Sequence, residues 1–472
     1  MKINNLTLIN YRLFKQQSFV FNDHFTVLIG DNATGKTQVL KAIVTLLSQY
    51  QSKMLRQSKI DVEIMENDVH HENQTFESKN GWHQLRMELS YPVIISADFN
   101  NGMRVFCQKR DNSETNIRGS YFDEMAQDGL DKITKKENVT LPVLAYYGTS
   151  RLWSKNIYWE EIPEDKIPSR TDGYRLSLDA FIDFDELRNW FRDQELIQLQ
   201  KGTNDVPLAV MRKALSMMIP DCEDVFYDFE FKTLVLKFRD NPNTPIPERT
   251  ILFNDLSDGY RMVLTMVFDI VKRIITLNPQ LGDEVLEKTD GIILIDELDL
   301  SLHPHWQRIV VESLKKTFPL VQFIVTTHSP FIIQSLNSGE VIDLEACEGD
   351  ILITHQIATV QIDDSKKVSG LRPGIAWPSA KGVYENKSLE DVAEDVMGVA
   401  IPQRSARLQK MYEVAKQYYA KLKELKGASS EELEKLKNAL DELSAPFSDD
   451  VAYHAFLEME RLTAMAERED EK

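Results

Sequence analysis

The chain has 472 residues, 42% of them hydrophobic, and its 55 Lys and Arg against 74 Asp and Glu give a formal net charge of −19. This length exceeds one ordinary core and predicts a large domain with an appended unit, while the charge excludes nucleic-acid binding by the surface as a whole. Three cysteines without CxxC spacing argue against a zinc or disulfide framework, and the lack of a signal peptide or long apolar run predicts a cytoplasmic protein without membrane contact.

The first predicted element is an antiparallel hairpin. Residues 2–10 partly alternate between apolar and polar, and residues 19–21 form a second short apolar run. The segment between them allows two interpretations. It either places Arg12 close to a bound nucleotide or forms a plain hairpin turn.

The most specific pattern of the chain follows this hairpin. An apolar run at residues 25–29 predicts a buried strand, and apolar residues every three or four positions in 38–44 predict a helix. Between them the sequence reads G-x-x-x-x-G-K-T, which in this context predicts a P-loop. Backbone N–H groups would bind phosphates, Lys36 would reach the β- and γ-phosphates, and Thr37 would ligate Mg²⁺. The nucleotide-binding candidates are Gly30, Asp31, Asn32, Ala33, Thr34, Gly35, Lys36, Thr37 and the following Gln38.

The middle of the chain alternates between strands and insertions. Two polar stretches, about 51–80 and 109–139, are predicted to be insertions that form surface loops. A buried strand is predicted at 141–147. Aromatic residues at near-helical spacing then predict a helical lid over about 174–220, with its aromatic stripe in the core. Two short strands are predicted within 225–238.

Ser257 precedes a strongly apolar helix that is predicted from Met262 to about Ile275. A serine at this position is a natural N-cap, and the helix start offers free N–H groups to an anion. A plain capped helix explains the pattern equally well.

Two acids end the next predicted strand. Residues 291–295 are a glycine and four branched apolar residues, typical of a strand buried on both faces, and Asp296 and Glu297 follow directly. Buried acids are costly unless they serve a charged partner. With a P-loop in the same chain, Asp296 is the expected Mg²⁺ partner and Glu297 the candidate general base. A neighbouring strand at 321–325 leads to His328, which we expect to hydrogen-bond to the γ-phosphate or the attacking water.

The order of these motifs resembles the ABC-type ATPase heads of the RecF and SMC group. That order is a P-loop, an LSDG signature at 256–259, an apolar strand ending in Asp-Glu, an LxLHP loop at 300–304 and a TTHSP segment at 326–330. The fold it implies is α/β, a mixed sheet with an antiparallel β-subdomain and a helical lid insertion. Within the group, the chain resembles the stand-alone ATPases of anti-phage defence, such as PtuA of the Septu system.

This resemblance implies ATP and Mg²⁺ as cofactors and a composite site in a homo-oligomer of at least two copies. The P-loop, Asp296, Glu297 and His328 of one copy would face Ser257 and Gly259 of another across a shared ATP. It also implies a partner HNH nuclease of the PtuB type, with nucleic acid reached through that complex. Three departures from the family pattern predict slow hydrolysis, with ATP acting as a state switch. Asp258 and Tyr260 replace the usual Gly and Gln of the signature, His303 replaces an interface Asp, and no Q-loop Gln is evident near 148–151.

The C-terminal part has its own pattern. A Gly- and Pro-rich linker at 369–382 separates the head, residues 1–368, from a predicted helical interaction module at 383–472. Its short apolar stripes favour a small helical bundle that docks a second protein or another copy. The alternative function is a RecF-like DNA-repair ATPase that binds DNA directly. A nuclease acting alone would need a cluster of metal-binding carboxylates, which the sequence does not show.

Overall fold

A computed structural model describes most of the predicted head. The described residues are 1–56, 64–77, 83–112, 117–118, 121–149, 169–180, 182, 184–202, 206–219, 221–239 and 249–344. The predicted linker and C-terminal module lie outside them, so both stay predictions.

The described residues form fifteen strands and eight α-helices. The strands are β1 (Ile3–Tyr11), β2 (Phe14–Val20), β3 (Phe25–Ile29), β4 (His70–Glu77), β5 (His83–Ser90), β6 (Val93–Phe99), β7 (Arg104–Lys109), β8 (Ile117–Arg118), β9 (Val143–Tyr147), β10 (Cys222–Asp228), β11 (Thr233–Phe238), β12 (Arg249–Leu252), β13 (Gly291–Ile295), β14 (Val321–Thr326) and β15 (Val341–Asp343). The helices are α1 (Lys36–Met54), α2 (Tyr121–Thr134), α3 (Phe184–Lys201), α4 (Val206–Met218), α5 (Asp258–Leu277), α6 (Val285–Lys288), α7 (Pro304–Thr317) and α8 (Pro330–Gln334). None of these helices is both long enough and apolar enough to span a membrane.

A five-stranded parallel sheet carries the predicted chemistry. Its strand order is β15-β3-β14-β13-β9, and every residue of β3, β9 and β13 is buried. Continuous apolar runs are needed here because helices cover both faces of a parallel sheet. The P-loop follows β3, the two acids follow β13, and His328 follows β14. Parallel strands end at the same edge, so this topology brings the three motifs together.

Two antiparallel sheets accompany it, which confirms the mixed α/β expectation. The first, in the order β2-β1-β6-β7-β8, begins with the predicted hairpin, in which Tyr11 pairs with Phe14 across the turn. The second contains β10, β11 and β12. Strands β4 and β5 form a separate two-stranded ribbon.

The two polar insertions contain more regular structure than loops. Helix α1 continues to Met54, β4 lies within the first insertion, and α2 lies within the second. The buried residues of α2 are Phe122, Ala126, Gly129 and Leu130, a narrow stripe on an otherwise polar helix that contacts α1. Composition concealed this helix because one thin apolar face suffices to attach it.

The helical lid begins later than the sequence pattern predicts. Residues 170–174 form a single 3₁₀ turn, and α3 starts only at Phe184. The carbonyls of Gly173 and Arg175 accept hydrogen bonds from the Arg273 guanidinium at 3.0 and 2.8 Å. These two carbonyls accept from a side chain of α5, and not from the amides of a helix that continues through this segment. In the aromatic stripe, Leu187 and Phe191 are buried as expected, whereas Phe184 and Trp190 are half-buried.

Candidate nucleotide-binding site

The P-loop joins β3 to α1 through backbone conformations that favour glycine. Gly30, Ala33 and Gly35 have φ angles of 137°, 70° and 99°. A Cβ on Gly35 would lie 2.6 Å from Cζ of Phe14, so the loop passes directly against the β1–β2 hairpin. Only glycine fits at position 35 of this loop. The free N–H groups at the start of α1 follow it directly.

Lys36 lies inside the curve of this loop. Its side chain is buried, with the residue 7% exposed, and its ammonium donates hydrogen bonds to the carbonyls of Gly30 and Asp31, both at 2.7 Å. A buried ammonium held at the mouth of a glycine loop is a site for anionic oxygens.

Thr37 and Asp296 meet although they are 259 residues apart in the chain. The Thr37 hydroxyl donates to the two carboxylate oxygens of Asp296 at 3.1 and 2.9 Å, and Thr326 Oγ1 donates to Asp296 Oδ1 at 2.7 Å. A hydroxyl beside a carboxylate is a set of hard oxygen donors, which suits Mg²⁺. Thr37 and Asp296 thus fit the magnesium that the sequence implies.

Glu297 begins the loop after β13 with a φ of 50°, a left-handed conformation that turns the chain sharply out of the sheet. Its amide donates to Thr326 Oγ1 at 2.7 Å, and the amide of Asp296 donates to the Tyr147 carbonyl at 2.8 Å. Both acids are thus held by the ends of the adjacent strands β14 and β9. The half-buried Glu297 side chain follows directly on the metal-binding candidate.

His328 follows the neighbouring strand. Strands β13 and β14 pair in parallel, with Ile295 opposite Val325, so the strand that leads to His328 lies beside the strand that leads to the two acids. Its amide donates to Asp299 Oδ1 at 3.2 Å, and Thr327 Oγ1 donates to the same oxygen at 2.6 Å. The sequence interpretation assigned no role to Asp299. An acid two residues after Glu297 was the one available signal.

The signature residues begin α5, which starts at Asp258, earlier than the predicted Met262. Ser257 is the exposed N-cap residue, but its side chain makes no capping hydrogen bond. Gly259 is buried, and a Cβ there would lie 2.4 Å from the Ser301 carbonyl oxygen. Within the described residues, no hydrogen bond joins Ser257 to the P-loop of the same chain.

Arg12 lies in the β1–β2 turn, and this turn contacts the P-loop. The Leu13 amide donates to Gln38 Oε1 at 3.3 Å, while Phe14 covers Gly35. The Arg12 guanidinium itself binds Asp68 Oδ1, with Nε at 2.8 Å and Nη2 at 2.5 Å. The segment is therefore both a hairpin turn and a neighbour of the P-loop, and nucleotide contact by Arg12 stays a prediction.

A buried network behind the site escaped the sequence interpretation. Tyr147 Oη and Arg273 Nε donate to the same oxygen of Asp269, at 2.8 and 2.7 Å. Burial, with a further contribution from the Asp269 charge, raises the pKa of the Tyr147 phenol well above its ordinary value. This network links β9, beside Asp296, to the signature helix α5. No local pattern reveals it because the three residues come from two distant segments.

Two family models match the chain at these motifs. One, described as an AAA ATPase domain, matches residues 1–147 and includes the P-loop. The other, an AAA domain described with the type IV toxin–antitoxin system, matches residues 248–334 and includes the signature, both acids and His328.

Curated relatives align over most of the chain. The "Retron Vc95 probable ATPase" of Vibrio cholerae serotype O1 biovar El Tor is 23% identical over 394 residues, covering 72% of this chain and 73% of its own. The Septu protein PtuA of Bacillus thuringiensis is 22% identical over 382 residues, covering 80% of each. The chain is a homologue of these retron and Septu ATPases.

Among solved structures, the SMC head domain from Thermotoga maritima aligns with 73% of this chain and 94% of its own, at 13% identity and a TM-score of 0.33. The chain is related in sequence to the retron and Septu ATPases, and its motifs lie at one edge of the parallel sheet.

Proposed function

We propose that this chain is an ATPase that binds Mg–ATP between two copies of itself and uses the bound state to control a partner nuclease. The hydrogen bond from Thr37 to Asp296 carries the proposal, because it joins the P-loop helix to the acidic strand end where a nucleotide-bound magnesium would lie. The family assignment supports the ATPase activity.

Each residue has a distinct role in this proposal. The N–H groups of residues 30–37 and the Lys36 ammonium bind the phosphate oxygens. Thr37 and Asp296 would hold the magnesium, which neutralises phosphate charge when bound. Glu297 orients and polarises the attacking water as general base, and His328 hydrogen-bonds to the γ-phosphate or to that water.

The second copy supplies the signature. Ser257 is exposed at the start of a 20-residue helix, where free N–H groups favour an anion. Gly259 lets this helix start lie directly on the loop after Glu297. We therefore propose that Ser257 and Gly259 of one copy complete the phosphate site of the other, making the protein at least a dimer. Asp258, Tyr260 and His303 differ from the usual residues of the family pattern, which fits slow ATP hydrolysis.

Relatives supply the biological context. The aligned proteins are named as a Septu protein and a retron ATPase. We propose that this chain likewise acts in anti-phage defence in the cytoplasm, with an HNH nuclease of the PtuB type as partner and nucleic acid reached through that complex. The predicted C-terminal module is the proposed docking site for the nuclease.

The decisive variant is Glu297→Gln. It should retain ATP binding and slow hydrolysis by about 10²- to 10⁴-fold, because the amide cannot accept the water's proton. Glu312→Gln, an exposed change on α7, is the matched control and should leave turnover unchanged. Full turnover by Glu297→Gln would remove the general-base assignment.

The dimer and the partner need separate measurements. Light scattering of Glu297→Gln should show an increase in mass when Mg–ATP is added. This increase should be absent when Ser257→Arg is combined with Glu297→Gln. An unchanged mass at saturating nucleotide would contradict the shared site. Co-expression should give a stable complex with the HNH protein encoded nearby. DNA binding by the chain alone, falling steeply with salt, would instead support the RecF-like alternative.

A further inference from the structure

The loop that follows Glu297 is tied to the segment that carries His328. The contact is made by Asp299, whose Oδ1 accepts both the Thr327 hydroxyl at 2.6 Å and the His328 amide at 3.2 Å. These bonds connect two segments that are 28 and 29 residues apart in the chain. The loop and the histidine segment therefore cannot shift independently without breaking them.

The Asp299 carboxylate has these two groups as its hydrogen-bond donors. It is half-buried, and no ion pair to Asp299 is found among the described residues. A partly buried carboxylate needs hydrogen-bond donors to offset its lost hydration, and bonds to a charged acceptor are stronger than neutral ones. The acid is thus matched to one backbone N–H and one hydroxyl of the histidine segment.

The other side of His328 is held from α7. Ser329 Oγ donates to Gln307 Oε1 at 2.6 Å, and Gln307 Nε2 donates to the Leu302 carbonyl at 2.8 Å. The Ser329 amide in turn donates to Thr327 Oγ1 at 3.1 Å. The bonds close a ring from the loop after Glu297, through the histidine segment and α7, back to the same loop.

The His328 imidazole takes no part in these hydrogen bonds. Thr327 and Ser329 use their side chains inside the frame, whereas the His328 ring makes no hydrogen bond to the rest of the described chain. A backbone fixed on both sides with an uncommitted side chain is the arrangement expected of a group that acts on a bound molecule.

We propose that Asp299 is a positioning residue for His328. It fixes the peptide at residues 327–328 relative to Glu297, so that the imidazole and the general base meet the same phosphate in a set geometry. The inference rests on the proposed role of His328 in the ATP site. It assigns Asp299 no contact with the nucleotide.

Asp299→Ala tests this assignment. Releasing the histidine segment should lower kcat for ATP hydrolysis by about 10- to 100-fold, the size of effect expected from a misplacement of about 1 Å. The Kd for ATP should stay within about twofold, because the P-loop is untouched. Asp299→Asn keeps an oxygen acceptor at the same place and should recover most of the activity. Thr327→Val, which removes one of the two donors at similar volume, should give a smaller loss in the same direction.

A double-mutant cycle separates positioning from general damage. In a His328→Ala background, Asp299→Ala should change kcat by less than about twofold, because the group that it positions is already gone. Equal losses in both backgrounds would overturn the inference, and so would an Asp299→Asn variant that binds ATP normally but is as slow as Asp299→Ala. If Asp299→Ala does not fold, the Asp299→Asn and Thr327→Val variants carry the same cycle.

The two proposals fail differently. Undiminished turnover in Glu297→Gln or His328→Ala would contradict the proposed catalytic site. If Glu297→Gln and His328→Ala both slow hydrolysis, but Asp299→Ala lowers kcat equally with and without His328, only the positioning role is contradicted.

Discussion

The buried network at Asp269 gives a sharp stability prediction. Asp269→Ala removes the shared acceptor of Tyr147 and Arg273, whose side chain is only 12% exposed. Arg273 would keep its bonds to the Gly173 and Arg175 carbonyls, but its charge would lose its one ion-pair partner in the described structure. Breaking a buried pair by removing one member typically costs about 3–5 kcal/mol. Tyr147→Phe removes a single hydrogen bond and should cost about 1.5 kcal/mol.

Urea unfolding followed by intrinsic fluorescence measures both changes in the free energy of unfolding. The free energy of unfolding should be much lower for Asp269→Ala than for Tyr147→Phe, and the m-value should not change. Asp128→Ala is the control, because its pair with Lys132 is exposed to solvent and should contribute little to stability. A loss below about 1 kcal/mol in Asp269→Ala would refute the reasoning that this pair holds β9 against α5.

Three further predictions concern the site and its surroundings. Gly259→Ala should lower ATP-dependent dimerisation and turnover, since its Cβ would meet the Ser301 carbonyl at 2.4 Å; wild-type values for both would contradict the tight packing of the signature helix. Removing Mg²⁺ with EDTA should abolish turnover. Thr37→Ala should raise the Mg²⁺ concentration needed for half-maximal rate, whereas Thr37→Ser should not. An equal Mg²⁺ requirement in both variants would exclude the Thr37 hydroxyl as a ligand. Burial raises the pKa of the Cys222 thiol to about 12, so iodoacetamide at pH 8 should label it at least about 100-fold more slowly in the folded than in the urea-unfolded chain, as measured by peptide mass spectrometry.

The interpretations that failed were all drawn from composition or local spacing. Helix α2 and strand β4 were expected to be loops because their composition is polar, but a thin buried stripe or a backbone ladder is enough to form such elements. The start of the lid was misplaced because Arg273 binds two carbonyls from another part of the chain. For α2 and the lid, a contact distant in sequence outweighed the local pattern, whereas β4 forms by pairing with its neighbour β5.

The sequence by itself determined the parts whose causes are local. The glycine loop, the buried strands and the acids after β13 follow from short runs of residue type, and the parallel arrangement that gathers them follows from those runs being apolar throughout. Only the tertiary structure decided the links among Asp299, Thr327 and His328 and the network around Asp269. Those links join residues from segments that chain spacing does not relate, so their hydrogen bonds exist only once the sheet and α5 have packed.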